Sequence, residues 1–552
     1  MKILLVAINA SYSHTNLAVR SIKYFIEEHY SAPDFSIDFK EFTINQPVGD
    51  ILRGISETKA DAVLFSTYIW NAEVVCKIIP DIKKILPNSK IGAGGPEFGY
   101  WPKGYLNKNP DLDFIMVGEG EVTSLELIKN HLNPKIPGIY YREDEKIFFG
   151  GIREPLCDLS ELPFAYPDLS DPDNRLYYYE SNRGCPFSCS YCMSSLDRKV
   201  RFMPLERVYS DLQRFLDANV RIVKFVDRTF NLNEERYLKI WEYILAHHNG
   251  KTMFHFEIEA EYLTPKALEL LQKVPAHVMQ FEIGVQSSNA ETLKAISRSP
   301  NVEALAENVR HIPRTIHQHL DLIAGLPYED LHTFGKSFDF VMDLRPDALQ
   351  LGFLKVLHGT KMEEYAKENG WKWMENPAYE TFSTPYMSYE DMNYLKDVET
   401  AVDAYYNSGH FGTTMKYILG KVSPWTFFCN VVDEGRKEGA FENLHREQFW
   451  FEFLAKLIAN TSLFDGKVAY ELLRYDFVSQ GKKGNFPDWY THYYTKEEHR
   501  RLLMENGGIT NSRLDYANSE YEEFLLDPAS NDFELFADGM RRPVLIRYSR
   551  HS

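Results

Sequence analysis

Arg183-Gly184-Cys185-Pro186-Phe187-Ser188-Cys189-Ser190-Tyr191-Cys192 places three thiols within eight residues, spaced C-x3-C-x2-C. A disulfide framework would not cluster its cysteines so tightly. A structural zinc site needs four protein ligands, and this loop offers no fourth Cys or His. Three thiolates suit a [4Fe–4S] cluster that keeps one iron open. Three unrelated buried cysteines, or a zinc ion with a distant fourth ligand, are the competing readings.

The surroundings of this loop set the fold. From about 176 to 360, apolar strand candidates recur near Tyr177, Arg221, Met253, Gln280, Leu320 and Leu349, with helical patterns such as 205–217 and 234–247 between them. Six βα units of this length predict a partial barrel of parallel strands, whose chemistry sits where strands end and loops begin. The cysteine loop follows the first strand. Upstream, the first 130 residues also alternate: strands over 2–8, 35–40, 61–66 and 114–117, and helices over 16–29, with Leu17, Ile22 and Phe25 inward, and up to about Leu86. This is βαβ repetition, hence a doubly wound parallel sheet. Residues 139–141 and 147–149 read as a hairpin, and the proline-rich 161–167 as an ordered linker. Downstream of about 390 the chain reads as mainly helical. An aromatic stripe (Phe449, Trp450, Phe451, Phe453) reads there as a buried helix face, and 480–484 as a solvated loop. The overall class is α/β, divided as 1–135 (first sheet), 136–175 (linker), 176–390 (barrel) and 391–552 (helical region).

Composition narrows the function classes. Of 552 residues 44% are hydrophobic and 25% charged, an ordinary soluble balance. With 61 Lys and Arg against 79 Asp and Glu the net charge is −18, which does not favour nucleic acid or an anionic membrane as main partner. No stretch approaches the ~20 apolar residues of a membrane span. Six cysteines and no export-like leader point to a reducing cytoplasm. Cys76 reads as packed, and Cys157 and Cys429 carry no motif.

With its aromatic Tyr191, C-x3-C-x-aromatic-C after the first strand of a six-unit barrel resembles the radical S-adenosylmethionine (SAM) superfamily. The resemblance implies that SAM chelates the open iron and is reductively cleaved to methionine and a 5′-deoxyadenosyl radical. It offers Tyr191, Asp227, Glu257, Gln286, Ser287 and Arg298 as SAM contacts. Asp227 stands where a Gly-Gly-Glu-type segment is common. Glu257-Ile258-Glu259-Ala260-Glu261 resembles Glu-x-Arg-x-Asp, with Glu259 at the usual Arg position. Glu282-Ile283-Gly284-Val285-Gln286-Ser287 matches Glu-x-Gly-x-Gln-Ser, Gly325-Leu326-Pro327 the fifth-strand turn, and His358-Gly359-Thr360 a Pro-Gly-Thr turn.

The N-terminal sheet, with Ser66-Thr67, Gly94-Gly95 and Gly118-Glu119 after successive strands, resembles the cobalamin (B12)-binding domain fused to class B radical SAM enzymes. Those six residues are the implied cobalamin contacts. The Asp-x-His-x-x-Gly loop that ligates cobalt in classical cobalamin domains is replaced by Tyr12, His14 and Leu17, so no protein histidine is expected under the cobalt. The implied cofactors are thus a [4Fe–4S] cluster, SAM and cobalamin. The implied activity is methyl transfer through cobalamin to an unactivated atom of a small-molecule or peptide substrate, with flavodoxin or ferredoxin as electron donor. A radical cyclisation, rearrangement or redox reaction with the same cofactors is the first alternative, and a non-enzymatic metal or redox sensor the second.

Overall fold

The computed structural model describes residues 1–169, 171–481, 486–506 and 519–548. Within the expected loop at 480–484, positions 482–484 lie outside this set. The chain forms two compact units, one of residues 1–330 with 352–388, the other of 331–351 with 389–552.

The first unit opens with β1 (Lys2–Asn9), whose residues after Lys2 are all buried, as a central strand covered on both faces requires. The helix Leu17–His29 follows, its Asn16 cap accepting from the Val19 N–H. Val19, Phe25 and Ile26 form its buried stripe, while the expected Leu17 and Ile22 are only half-buried. β2 (Ser36–Thr43) pairs with β1, and β3 (Ala62–Ser66), β4 (Lys90–Gly94) and β5 (Phe114–Met116) extend the other side, all in parallel. The order β2-β1-β3-β4-β5 reverses direction between β1 and β3, which opens a crevice at their C-terminal ends. The expected hairpin is present as β6 (Ile139–Glu143) and β7 (Lys146–Phe149), and it pairs antiparallel onto β5. The sheet therefore continues past 117, where sequence periodicity had placed its last strand.

The second sheet begins with β8 (Leu176–Tyr179). The cysteine loop is then closed by a short antiparallel pair, β9 (Asn182–Arg183) with β10 (Arg201–Phe202). β11 (Ile222–Phe225), β12 (Met253–Ile258), β13 (Met279–Gln286) and β14 (His317–Ala324) continue in parallel order from β8. The sixth strand, β15 (Ala348–Phe353), runs across the division between the units.

Alternation along these strands divides the sheet into two chemistries. One face buries Val223, Phe225, Phe254, Phe256, Phe281, Ile283, Leu320 and Leu322. The rings of Phe225, Phe230, Trp241, Phe256 and Phe281 meet there at centroid distances of 4.4–6.2 Å. The other face carries Tyr178, Lys224, His255, Glu257, Glu282, His319 and Asp321. A barrel packed shut has a branched apolar interior. Here the Lys224, Glu257 and Glu282 side chains keep 23, 32 and 24% of their surface exposed, so the polar face lines an open lumen.

The other unit is mainly helical, with helices such as Pro424–Glu438, Glu447–Asn460 and Gly466–Ser479. Trp450, Phe451 and Phe453 are buried, as a packed helix face requires. It also contains an antiparallel pair, Ser519–Phe524 with Arg542–Arg547, which its charged sequence conceals. Glu522 in the first of these strands is fully buried against Arg474 at 3.3 Å. Among the described residues no helix is long and apolar enough to cross a membrane.

Candidate functional site

The cysteine loop is knitted down along its length. Asp227, at the end of β11 and fully buried, accepts from the Ser181 N–H (2.6 Å), the Ser181 hydroxyl (2.5 Å) and the Asn182 N–H (3.0 Å). Burial pushes its carboxyl up to about 7 against these bonds. Gly184 has φ +88°, and a Cβ there would lie 2.4 Å from the Lys199 carbonyl oxygen, so only glycine fits. The Cys185 N–H donates to Asp197 O (2.8 Å), Ser190 N–H to Ile296 O (3.0 Å), and Met362 N–H to Ser190 O (2.9 Å).

Burial, and to a lesser degree the neighbouring thiols of the loop, push the Cys185 and Cys189 thiols upward. Thiols so placed lose their protons to a bound metal rather than to water. Among the described residues no three His, Cys, Asp or Glu side chains close in as the ligand set of a single ion. Three thiols on one anchored loop are the donor set of an iron–sulfur cluster that keeps one iron open. In this donor set the chain fits a [4Fe–4S] cluster.

Beside Cys189 lies a small cavity lined by Phe187, Glu259, Tyr262 and Arg298. Arg298 donates to both Glu259 oxygens (2.8 and 2.9 Å) and to Gly284 O (2.8 Å). The glutamate at the usual arginine position thus holds an arginine supplied from elsewhere in the chain. Tyr191 packs against the apolar cluster that includes Leu293, Ile296 and Leu326, and its hydroxyl pairs with Arg298, whose charge opposes the upward push of burial on the phenol. Gln286 has φ +69° and is 9% exposed, and its Oε1 has no partner. Its Nε2 fills the space a Gly284 Cβ would need, 2.1 Å away.

The structure therefore brings Cys185, Cys189, Cys192, Tyr191, Gln286 and Arg298 together, with Glu257 farther down the lumen. Asp227 and Ser287 differ: both Asp227 oxygens are spent on the Ser181–Asn182 turn, and the Ser287 hydroxyl donates to Glu329 (2.6 Å) while accepting from Asn289 N–H (3.0 Å).

The C-terminal edge of the first sheet faces this loop. Thr67 is fully buried, and its N–H and hydroxyl both donate to Gly94 O at 2.7 Å. Gly95, at φ +101°, passes so close that a Cβ would sit 2.4 Å from Thr67 O. Gly118, at φ +77°, looks into open space. Glu119 accepts from Arg201 (2.5 Å) and from the Leu156 N–H (2.8 Å), and Glu121 accepts from Arg183 (2.7 Å). These buried ion pairs tie the first sheet to the base of the cysteine loop. Tyr68, stacked on Trp70 at 4.3 Å, and Tyr100 both feel the charge of Arg228, and Tyr100 also that of Cys192.

His14 is bound on the barrel side: its Nδ1 lies 2.5 Å from Tyr178 Oη, and burial and Lys224 lower its proton affinity. Sequence reasoning missed Arg183, Arg201, Tyr178 and the lumen group of Lys224, His255, Glu282 and Asp321. Charged residues alternating with aromatic ones on β11–β14 were the available signal.

Residues 179–341 match the radical SAM superfamily, 3–128 the B12 binding domain, and 367–526 a family described as a protein of unknown function, DUF4080. The cobalamin-dependent radical SAM methyltransferase TokK of Streptomyces tokunonensis is 26% identical over 324 residues, 54% of this chain and 47% of that protein. An anaerobic magnesium-protoporphyrin IX monomethyl ester cyclase of Synechocystis is 27% identical over 251 residues, 43% of this chain and 50% of that one. The chain thus spans about half the length of these relatives. Among solved structures, the cobalamin-dependent SAM radical enzyme OxsB superposes with a TM-score of 0.61 at 15% identity, over 94% of this chain and 82% of that one. The radical SAM methyltransferase TsrM of Kitasatospora setae gives 0.57 at 15%, over 68% and 77%. At such identities the likeness is one of fold.

Proposed function

From a B12-binding domain and a radical SAM domain joined in one compact unit, we propose that the chain is a cobalamin-dependent radical SAM enzyme, most simply a methyltransferase. The observation that carries this is the tie between the two domains: Glu119 and Glu121, just after the Gly118 turn, pair with Arg201 and Arg183 at the base of the cysteine loop.

Cys185, Cys189 and Cys192 would hold a [4Fe–4S] cluster. Ser66, Thr67, Gly94, Gly95 and Gly118 would shape the cobalamin seat, with Glu119 bracing it through Arg201. When bound, the cluster would supply the electron for reductive cleavage of SAM to methionine and a 5′-deoxyadenosyl radical, and cobalamin would supply a methyl carrier. The chain's own part is positional. Arg298, oriented by Glu259 and backed by Tyr191, offers its remaining N–H groups to the SAM carboxylate. Asp227 holds the turn that aims Cys185. Phe187 and Tyr262, stacked at 5.8 Å, screen the cavity from water.

We assign residues 1–135 to cobalamin and 176–390 to SAM, with 136–175 as linker and 391–552 shaping substrate choice. A flavodoxin or ferredoxin in the cytoplasm would donate the electron. The likeness to a magnesium-protoporphyrin ester cyclase favours one second reading, the same cofactors used for ring closure without methyl transfer. Product counting separates the two. A methyltransferase of this kind yields one S-adenosylhomocysteine and one 5′-deoxyadenosine per turnover, and a cyclase yields 5′-deoxyadenosine alone.

A further inference from the structure

An electron bound for the cluster has to cross the protein surface, and the cysteine loop is itself at that surface. Pro186, directly after Cys185, is exposed, and Phe187, Ser188, Cys189 and Cys192 are half-buried. A partner resting on this loop is therefore within a few residues of the thiols. The chain as a whole has a net charge of −18, yet the loop carries cations on its outer face. Arg198 and Lys199 are consecutive and exposed, and Arg236 is half-buried.

One short segment, 181–186, gathers these side chains. Arg236 donates to Ser181 O (3.1 Å), and its guanidinium lies 5.1 Å from the centre of the Phe202 ring, which is 37% exposed. Phe202 is the register partner of Asn182. The Lys199 backbone passes Gly184, while its Nζ meets the Cys157 thiol at 3.7 Å. Arg198 donates to Pro186 O (3.2 Å). Among the described residues, none of the three cations has a carboxylate at ion-pair distance. Their sequence neighbours Asp197 and Glu235 are instead neutralised by Arg201 and Lys239, each at 2.6 Å. Exposed apolar carbon ringed by unpaired charge is the composition of a protein docking surface, in which charge sets the encounter rate and the apolar centre the fit.

We propose that this face of the cysteine loop is the docking surface of an acidic one-electron carrier protein, steered by Arg198, Lys199 and Arg236 onto Pro186 and Phe202. The step it serves makes and breaks no bond. One electron leaves the carrier's reduced flavin or iron–sulfur centre and enters the oxidised cluster, and no proton moves. An acidic carrier is repelled by the net charge of this chain and attracted by this one face, so the cations select where it lands. A small contact suffices, because weak electron-transfer encounters sit at the low end of interface size. The proposal rests on the radical SAM reading for the identity of the electron acceptor.

The test uses the reconstituted full-length holoenzyme under anaerobic conditions, with an acidic flavodoxin and an acidic ferredoxin as probes. Two quantities are read at low and at high salt: the Kd of each carrier, and the rate at which the pre-reduced carrier bleaches the cluster absorbance. Arg198→Glu combined with Lys199→Glu should raise Kd and slow reduction about tenfold or more at low salt. The difference from wild type should shrink at high salt, where the charges are screened. Reduction by dithionite, which needs no docking, should be unchanged. Lys77→Glu combined with Lys84→Glu makes the same charge change on the exposed side of the helix Ala72–Ile85 and should leave Kd and rate near wild type. Absence of saturable binding by both carriers, or equal losses in the two double variants, overturns the proposal. So does an unchanged carrier rate in the first double variant alongside lost binding of total tRNA, which would assign the face to RNA. Should that variant fail to fold, the wild type still decides: carrier affinity that does not fall with salt overturns the proposal. Dithionite-driven SAM cleavage by the same wild-type preparation tests the radical SAM reading separately, so either can fail alone.

Discussion

Replacing Gly95 by alanine should do clearly more damage than the same change at Gly118. Both glycines sit on the same sheet edge with positive φ, +101° and +77°. At Gly95 the ψ of 168° puts the backbone in a region open essentially to glycine alone, at a cost of about 1–3 kcal/mol for any other residue. The new Cβ would also lie 2.4 Å from the Thr67 carbonyl oxygen and 2.9 Å from its nitrogen. Those are main-chain atoms held by the bonds to Gly94, so they cannot swing aside, and overpacking of this kind adds about 1–3 kcal/mol. Gly118→Ala meets nothing within 4 Å and should cost only the left-handed backbone, about 1–2 kcal/mol. Urea unfolding of the cobalamin-free protein, followed through the transition that reports on the first sheet, should therefore place Gly95→Ala about 1–4 kcal/mol below Gly118→Ala. Cobalamin retention should fall with it. Equal losses in the two variants would refute the close approach of Gly95 to Thr67 on which the cobalamin seat is argued.

Asp227 gives a pH signature. Its folded-state value of about 7 lies above the ordinary 3.8, so the folded protein binds the extra proton, and stability falls as pH rises between those values, by about 1.4 kcal/mol per unit. Stability of the wild type relative to Asp227→Asn should decline from pH 5 to 7 and level off above; parallel curves would contradict the buried, hydrogen-bonded carboxyl. His14 should leave the cobalt alone, because its ring is engaged by Tyr178. EPR of the cob(II)alamin form should be unchanged in His14→Ala, and a nitrogen superhyperfine splitting lost in that variant would show that histidine is a ligand.

The two-sheet plan was legible because strand burial leaves period and spacing in the sequence: β1 reads as one apolar run, and the strands of the second sheet recur with helices between them. The cysteine loop was legible because metal chemistry fixes residue type and spacing together. The hairpin Ile139–Phe149 was visible as a hairpin, but its partner was not, since antiparallel addition to β5 depends on an edge that only the folded sheet presents. Asp227 and Ser287 were legible as polar groups at strand ends, but their partners Ser181 and Glu329 are distant in sequence and leave no local pattern. The partner of Glu119, Arg201, lies 82 residues on and was likewise hidden from any local pattern. The strand Ser519–Phe524 was hidden for the same reason: its buried glutamates are neutralised by Arg474 and other partners that no local pattern announces.

The claim that Cys185, Cys189 and Cys192 hold a cluster that engages SAM is tested most directly by low-temperature EPR of the anaerobically reconstituted, dithionite-reduced protein. The wild type should give the signal of one reduced [4Fe–4S] cluster, its g values should move when SAM is added, and the triple Cys→Ala variant should give none. A cluster signal that survives in the triple variant, or a wild-type signal that ignores SAM, would contradict the account.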